Sequence, residues 1–151
     1  MPLTTLMKAE KILTSNKGLL LYYSASGNTK AIVNCFDKEK FDIISVRKGD
    51  EITDFSPYST IVIGTSTWQR GMPPRGFIRM REALGKWENK KIALFGSGRS
   101  EYDYFCGALD LLEQVLEPKN EILFKVKYEG YPKDIVFEEM KKKIKQLEEE
   151  F

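Results

Sequence analysis

The chain has 151 residues, which suffices for one domain, and 42% of them are hydrophobic. Its 24 basic and 22 acidic side chains leave a formal charge of +2, so the overall charge gives no reason to expect nucleic-acid binding. Histidine is absent and the two cysteines, Cys35 and Cys106, are far apart, so no zinc, haem or other metal site is predicted. We interpret both cysteines as buried packing residues of a reduced, cytoplasmic protein.

The chain is predicted to be soluble, with no membrane partner. No segment approaches the roughly 20 apolar residues that span a bilayer, and the N-terminus lacks the apolar core of a signal peptide. Residues 1–16 are predicted to form an N-terminal extension, either a short amphipathic helix or a frayed terminus. The remaining residues, 17–151, are predicted to form one domain.

Five short hydrophobic runs predict strands, and helical patterns separate most of them. The runs cover residues 18–23, 41–46, 59–63, 91–95 and 121–126. A helix is predicted to begin at residue 29, and others to cover residues 75–84, 104–116 and 135–151. Residues 46–57 have little apolar periodicity, which predicts a short or irregular crossover.

Strands that alternate with helices predict an α/β fold with a parallel sheet covered on both faces. A five-stranded sheet of this size fits the doubly wound order 2-1-3-4-5. Ligands of such sheets bind beyond the carboxyl ends of the strands. The loops after the first, third and fourth strands are therefore the candidate site.

The loop after the first strand is rich in hydroxyl groups and short side chains. It contains Ser24, Ala25, Ser26, Gly27, Asn28 and Thr29. Backbone N–H groups at a helix start and nearby hydroxyls bind phosphate, and a glycine lets the backbone approach closely. The alternative is an ordinary helix N-cap made by Ser26 or Asn28. A nucleoside triphosphate is not predicted, because the Gly-Lys-Ser/Thr ending of a Walker loop is absent.

The other two loops combine aromatic and small polar side chains. One contains Thr65, Ser66, Thr67, Trp68 and Gln69, and the other contains Ser97, Gly98, Arg99, Tyr102, Tyr104, Phe105 and Cys106. Trp68 taken alone is either a packing residue or a flat apolar face for a planar ligand. One phosphate loop and two aromatic loops at the same edge of a sheet fit flavin mononucleotide (FMN) better than NAD.

The three loops resemble those of the flavodoxin family. The Ser-x-Ser-Gly-Asn-Thr stretch from Ser24 is similar to the family's phosphate loop, and Thr67-Trp68 to the pair that opens its middle loop. The Tyr-x-Tyr-Phe-Cys-Gly stretch from Tyr102, behind Gly96-Ser97-Gly98, is similar to its flavin-ring loop. The resemblance implies a flavodoxin-like three-layer sandwich that binds FMN non-covalently.

The resemblance also implies which residues contact the cofactor. The phosphate would be held by Ser24, Ser26, Gly27, Asn28 and Thr29, and the flavin ring would lie between Trp68 and Tyr102. Backbone groups near the ribityl chain and ring would come from Thr65, Ser66, Ser97, Gly98, Arg99, Tyr104 and Cys106. The remaining predicted FMN-binding residues are Ala25, Thr67, Gln69 and Phe105.

Flavodoxins are low-potential electron carriers, and the chain has no evident acid, base or nucleophile for substrate chemistry. The resemblance implies a monomeric flavoprotein with no catalytic residue. It would carry single electrons between an NAD(P)H-dependent flavodoxin reductase and redox acceptor enzymes. One alternative is a flavodoxin-like activator of class Ib ribonucleotide reductase. Another is a non-redox FMN-binding module, against which the intact aromatic pair argues.

Two departures from the family pattern predict altered redox behaviour. Gln69 stands where flavodoxins often have glycine; at a positive φ this costs on the order of 1 kcal/mol. We therefore predict a less stabilised one-electron-reduced flavin. The family is typically acidic around the flavin, whereas Arg70, Arg75, Arg79, Arg81 and Arg99 fall in or just after these loops. Of these, Arg79 and Arg81 are interpreted as pointing to solvent from a helix face. This basic rim predicts a higher potential for the second electron and an acidic docking surface on the partner.

Overall fold

A computed structural model describes residues 17–24, 26–46, 57–67, 74–79, 81–100 and 106–151. Two of the predictions concern segments outside these residues: the N-terminal extension 1–16, and most of the crossover between the second and third strands. Among the described residues, no helix is both long enough and apolar enough to cross a membrane.

The sheet has five strands in the order β2-β1-β3-β4-β5, and every neighbouring pair is parallel. This confirms the predicted fold class and strand order. The strands are β1 Gly18–Tyr23, β2 Phe41–Ser45, β3 Thr60–Ser66, β4 Lys91–Gly98 and β5 Glu121–Glu129. The last three run three residues further toward their carboxyl ends than the hydrophobic runs predicted.

Within the described residues, helices follow β1, β3, β4 and β5. They are α1 Asn28–Val33, α2 Arg75–Arg79, α3 Arg81–Gly85, α4 Gly107–Leu116 and α5 Asp134–Glu148. The prediction that α4 includes Cys106 was wrong, because Cys106 has the left-handed φ of 50° and the helix begins after it. The single helix predicted over residues 75–84 corresponds to α2 and α3.

Alternate residues of each central strand supply two separate hydrophobic cores. On one face, Leu19 and Leu21 of β1 belong to a cluster with side chains of α2, α3 and α4. On the other face, Leu20 packs in a cluster with side chains of α1 and α5. Because helices cover both faces of the sheet, a ligand can reach it only at the ends of the strands.

An ion-pair cluster joins α4 to the edge strand β5. Lys125 Nζ lies 2.7 Å from Asp110 Oδ1 and 2.8 Å from Glu113 Oε1, and Lys127 Nζ lies 2.8 Å from Asp110 Oδ2. Burial acts to raise the pKa of Asp110, but the hydrogen bonds and charges of the two lysines outweigh it and lower that pKa. The two ion pairs that Asp110 makes therefore stabilise the fold only while Asp110 is ionised.

Replacement of Asp110 by asparagine tests this pH dependence. At pH 7, Asp110→Asn is expected to lower the free energy of unfolding by less than about 1 kcal/mol, because the partly exposed pairs are screened by water. A carboxyl group whose pKa is lower in the folded state stabilises the fold above its unfolded pKa of about 3.9. The contribution is lost as the pH falls through the folded pKa.

The free energy of unfolding is measured by urea denaturation at pH 7 and at the lowest pH that preserves the fold. The difference in this free energy between Asp110→Asn and the original chain should be smaller at the lower pH. Glu117→Gln, at an exposed carboxyl group just after the same helix, is the control. An equal loss of stability for Asp110→Asn at both pH values would show that ion pairing is not the cause.

Candidate functional site

The three loops that were predicted to form the site emerge at one edge of the sheet. The register pairs Tyr23 of β1 with Thr65 of β3, and Thr65 in turn with Gly96 of β4. One residue further along, Ser66 pairs with Ser97. The carboxyl ends of β1, β3 and β4 are thus neighbours, as the predicted strand order requires.

The first loop turns sharply at Gly27, whose φ of 89° lies in the left-handed region. Two hydrogen bonds hold the turn: Lys30 N–H donates to Ser24 Oγ at 3.0 Å, and Ala31 N–H donates to the Gly27 carbonyl at 3.0 Å. The N-cap residue of α1 is Gly27, and it provides no side-chain hydrogen bond. The alternative in which Ser26 or Asn28 caps the helix is therefore wrong.

A pair of buried hydroxyl groups connects the first loop to the carboxyl end of β4. Thr29 Oγ1 lies 3.4 Å from Ser97 Oγ, and the two residues are only 1% and 4% exposed. Both belong to the predicted set of FMN-binding residues. The structure thus brings the predicted phosphate loop into contact with the strand that leads into the predicted flavin-ring loop.

The middle loop is tied to the third loop through Thr67. Its backbone N–H donates to the Ser97 carbonyl at 3.1 Å, and its hydroxyl accepts a hydrogen bond from Ala108 N–H at 3.2 Å. Ala108 is in the first turn of α4, where N–H groups have no partner within the helix. The side chain of Thr67 therefore caps α4.

The hydroxyl group of Ser66, at the carboxyl end of β3, indicates where a ligand could bind. Its hydroxyl oxygen is buried and has no hydrogen-bond partner among the residues that the structure describes. The neighbouring Thr65 hydroxyl, by contrast, donates to the Ser66 carbonyl at 3.0 Å. A buried hydroxyl without a partner carries a free-energy cost of about 1–3 kcal/mol, which a hydrogen bond to a ligand would remove.

Cys106 lies where the third loop enters α4, and its thiol has a packing role. The side chain is fully buried, with Sγ 3.6 Å from the Gly96 carbonyl oxygen and 3.7 Å from that of Tyr128. Burial raises the pKa of this thiol to about 11, so it stays protonated at neutral pH. The interpretation of Cys106 as a buried packing residue is confirmed, whereas Cys35 is only half-buried.

Several predicted site residues lie outside the described residues, so their roles stay predictions. They are Ala25, Trp68, Gln69, Tyr102, Tyr104 and Phe105, and Arg70 of the basic rim lies outside as well. Arg99 is described and exposed, immediately after β4, and Arg75 is exposed at the start of α2.

Sequence reasoning missed Tyr128, which contacts the first loop from β5. Its hydroxyl donates to the Asn28 carbonyl at 2.9 Å, and the residue is only 4% exposed. Burial raises the pKa of this phenol, although a hydrogen bond with Thr29 partly opposes the shift. The sequence signal that could have identified Tyr128 was the alternation in β5, which places Val126 and Tyr128 on the same face of the strand. A tyrosine buried on that face needs a hydrogen-bond partner for its hydroxyl group.

Comparison with known proteins assigns the family. The sequence model of the family described as Flavodoxin matches residues 20–126, more than half of the chain. The chain belongs to the flavodoxin family. As a flavodoxin it is an electron-transfer protein whose cofactor is FMN.

Individual flavodoxins are similar along most of the chain. "Probable flavodoxin 2" of Bacillus subtilis is 31% identical over 137 residues, which cover 82% of this chain and 89% of that protein. The flavodoxin of Maridesulfovibrio salexigens is 29% identical, over 78% of this chain and 88% of its own. The crystal structure of oxidised flavodoxin 1 from Bacillus cereus superposes with a TM-score of 0.78, at 25% identity, covering 89% of this chain and 99% of its own.

The described part of this flavodoxin fits FMN at the carboxyl edge of the sheet. The turn at Gly27 offers hydroxyl and N–H donors of the kind that bind a phosphate. The Ser66 hydroxyl, which has no partner in the described part of the chain, offers a hydrogen bond at the end of β3, the strand that pairs with β1. Without a ligand the Ser66 hydroxyl would be unfavourable, because it is buried and has no hydrogen-bond partner among the described residues.

Proposed function

We propose that residues 17–151 of this flavodoxin form an FMN-binding domain that carries single electrons at low potential. The donor would be an NAD(P)H-dependent flavodoxin reductase and the acceptors other redox enzymes, with the carrier a cytoplasmic monomer that catalyses no substrate reaction itself. The buried hydroxyl of Ser66, which has no hydrogen-bond partner among the described residues and lies at the carboxyl ends of the strands, is the observation that carries the placement of the cofactor.

In this proposal the first loop holds the phosphate of FMN. Ser24, Ser26, Asn28 and Thr29 supply polar side chains, while Gly27 allows the left-handed turn that brings backbone N–H groups to the same place. The Lys30–Ser24 hydrogen bond holds the loop in this shape. Trp68 and Tyr102 would flank the ring, as the family resemblance implies.

The bound FMN supplies the redox chemistry, and the chain controls its surroundings. The strand ends of β3 and β4 are buried up to Thr65 and Gly98, which keeps water from the floor of the site. The exposed Arg99 follows directly at the end of β4 and places a positive charge at the rim. A nearby positive charge favours additional negative charge in the site, so it raises the reduction potential.

The proposal is tested by adding FMN to the apoprotein and titrating the complex potentiometrically. The expected result is a yellow one-to-one complex that is reduced reversibly. Arg99→Asp is expected to lower the potential of the second electron by on the order of tens of millivolts, since it replaces a positive charge with a negative one.

Lys119→Asp is the matched control for Arg99→Asp, because it makes the same change of charge after α4, at the opposite edge of the sheet. It should leave the potential unchanged. A protein that stays colourless after FMN addition would contradict the function itself. Equal shifts for the two variants would remove Arg99 from the account and leave FMN binding intact.

A further inference from the structure

Tyr128 makes a long-range contact with the proposed phosphate loop. Its hydroxyl donates to the Asn28 carbonyl, with 2.9 Å between the oxygens, although 100 residues separate the two in sequence. Asn28 follows the left-handed Gly27 and is the first residue of α1. The contact therefore reaches the backbone of the loop at the point where the turn becomes helix.

The helix that follows this loop cannot hold the turn by itself. α1 has only six residues and no side-chain hydrogen bond at its N-cap. Helices this short are unstable in isolation, so their ends are placed by tertiary contacts. From the side of β1 the loop is held by the Ser24 hydroxyl, and from the side of β5 by Tyr128.

The same region continues into the strand below the proposed flavin ring. Thr29, next to Asn28, contacts Ser97 of β4 through the two buried hydroxyl groups. The turn is thus connected both to β5 and to β4. A displacement of the Asn28 carbonyl would move the donors of the phosphate loop relative to the rest of the site.

We propose that Tyr128 is a positioning residue for the FMN phosphate, and that its hydroxyl increases the preference of the site for FMN over riboflavin. This inference rests on the proposed function. A purely packing role would require only the aromatic ring, which Val126 and Met140 accompany in the core. A positioning role requires the hydroxyl group, which phenylalanine lacks.

The test compares Tyr128→Phe with the original chain in their affinities for FMN and for riboflavin, measured by quenching of flavin fluorescence. Affinity for FMN is expected to fall about fivefold, the effect of one typical hydrogen bond, while affinity for riboflavin stays the same. The ratio of the two affinities is insensitive to folding, because a smaller folded fraction weakens both ligands equally.

Tyr58→Phe is the matched control, since Tyr58 also has a partly buried hydroxyl group, which donates a hydrogen bond to Asp42. Tyr58 lies just before β3, at the opposite end of the strands from the proposed site. It should leave the ratio of affinities unchanged. Inorganic phosphate gives a second readout: it should raise the melting temperature of the apoprotein less in Tyr128→Phe than in either other protein.

The possible failures are distinguishable. If the original chain binds neither FMN nor riboflavin, the proposed function is wrong. If it binds FMN and Tyr128→Phe retains the same preference over riboflavin, only the role of Tyr128 is wrong. An equal loss of both affinities in Tyr128→Phe would likewise overturn the inference, because it would indicate a general structural role.

Discussion

Gly96→Ala is expected to destabilise the protein by about 3 kcal/mol, at the upper end of the usual cost of overpacking. A Cβ at this position would lie 2.0 Å from the Thr65 carbonyl oxygen and 3.3 Å from Leu109 Cδ2. The nearest atom belongs to the backbone of the neighbouring strand and cannot rotate away. The strands β3 and β4 would have to separate at their pairing of Thr65 with Gly96.

The same change is expected to weaken FMN binding, because the displaced backbone leads directly into Ser66 and Ser97. Urea denaturation and FMN titration measure the two effects. Gly85→Ala, at the last residue of α3, is the control: it is the same glycine-to-alanine change, but its Cβ would meet nothing within 4 Å. It should be neutral or slightly stabilising, since alanine favours helix. If Gly96→Ala were as stable as the original protein, the close packing of the strand ends would be contradicted.

Ser66→Ala is expected to act in opposite directions on the apoprotein and on the complex. Removing a buried hydroxyl that has no partner among the described residues should leave the apoprotein equally stable or more stable, by up to about 1 kcal/mol. In the complex the same change removes a proposed hydrogen bond. Affinity for FMN should therefore fall, by up to about tenfold.

The chain offers a matched control for Ser66 on the same strand. The Thr60 hydroxyl is likewise buried without a partner in the described part of the chain, but it lies at the amino end of β3. Thr60→Val should stabilise the apoprotein in the same way and leave FMN affinity unchanged. Thermal unfolding and FMN titration of both variants measure this. Identical FMN affinities for the two variants would place Ser66 outside the cofactor site.

The beginnings of the strands could be predicted from the sequence, but the ends of three could not. β1 has the predicted bounds, Gly18–Tyr23, because its residues are continuously apolar or aromatic. β3 and β4 continue through small polar and glycine residues to Ser66 and Gly98. Apart from Thr65, these glycines and serines have little strand preference of their own, and their extended conformation comes from pairing with the adjacent strand.

The site shows the same division. The hydroxyl-rich loop at Ser24–Thr29 could be recognised locally, because hydroxyls and a glycine next to a strand are typical of phosphate binding. Its actual supports could not: the Thr29 contact spans 68 residues and the Tyr128 contact spans 100. Local patterns do not specify which distant side chain will satisfy a given carbonyl or hydroxyl.

The sequence by itself determined that this protein is a doubly wound parallel sheet whose loops resemble those of flavodoxins. Hydrophobic runs alternating with helical patterns permit few other arrangements, and the three loops follow strands whose ends must converge. Only the tertiary structure decided that Thr67 caps α4, that the Cys106 thiol lies against the carbonyls of Gly96 and Tyr128, and that the buried Ser66 hydroxyl has no partner among the described residues. Each of these depends on which buried polar groups find partners, and that is settled when the strands and helices pack together.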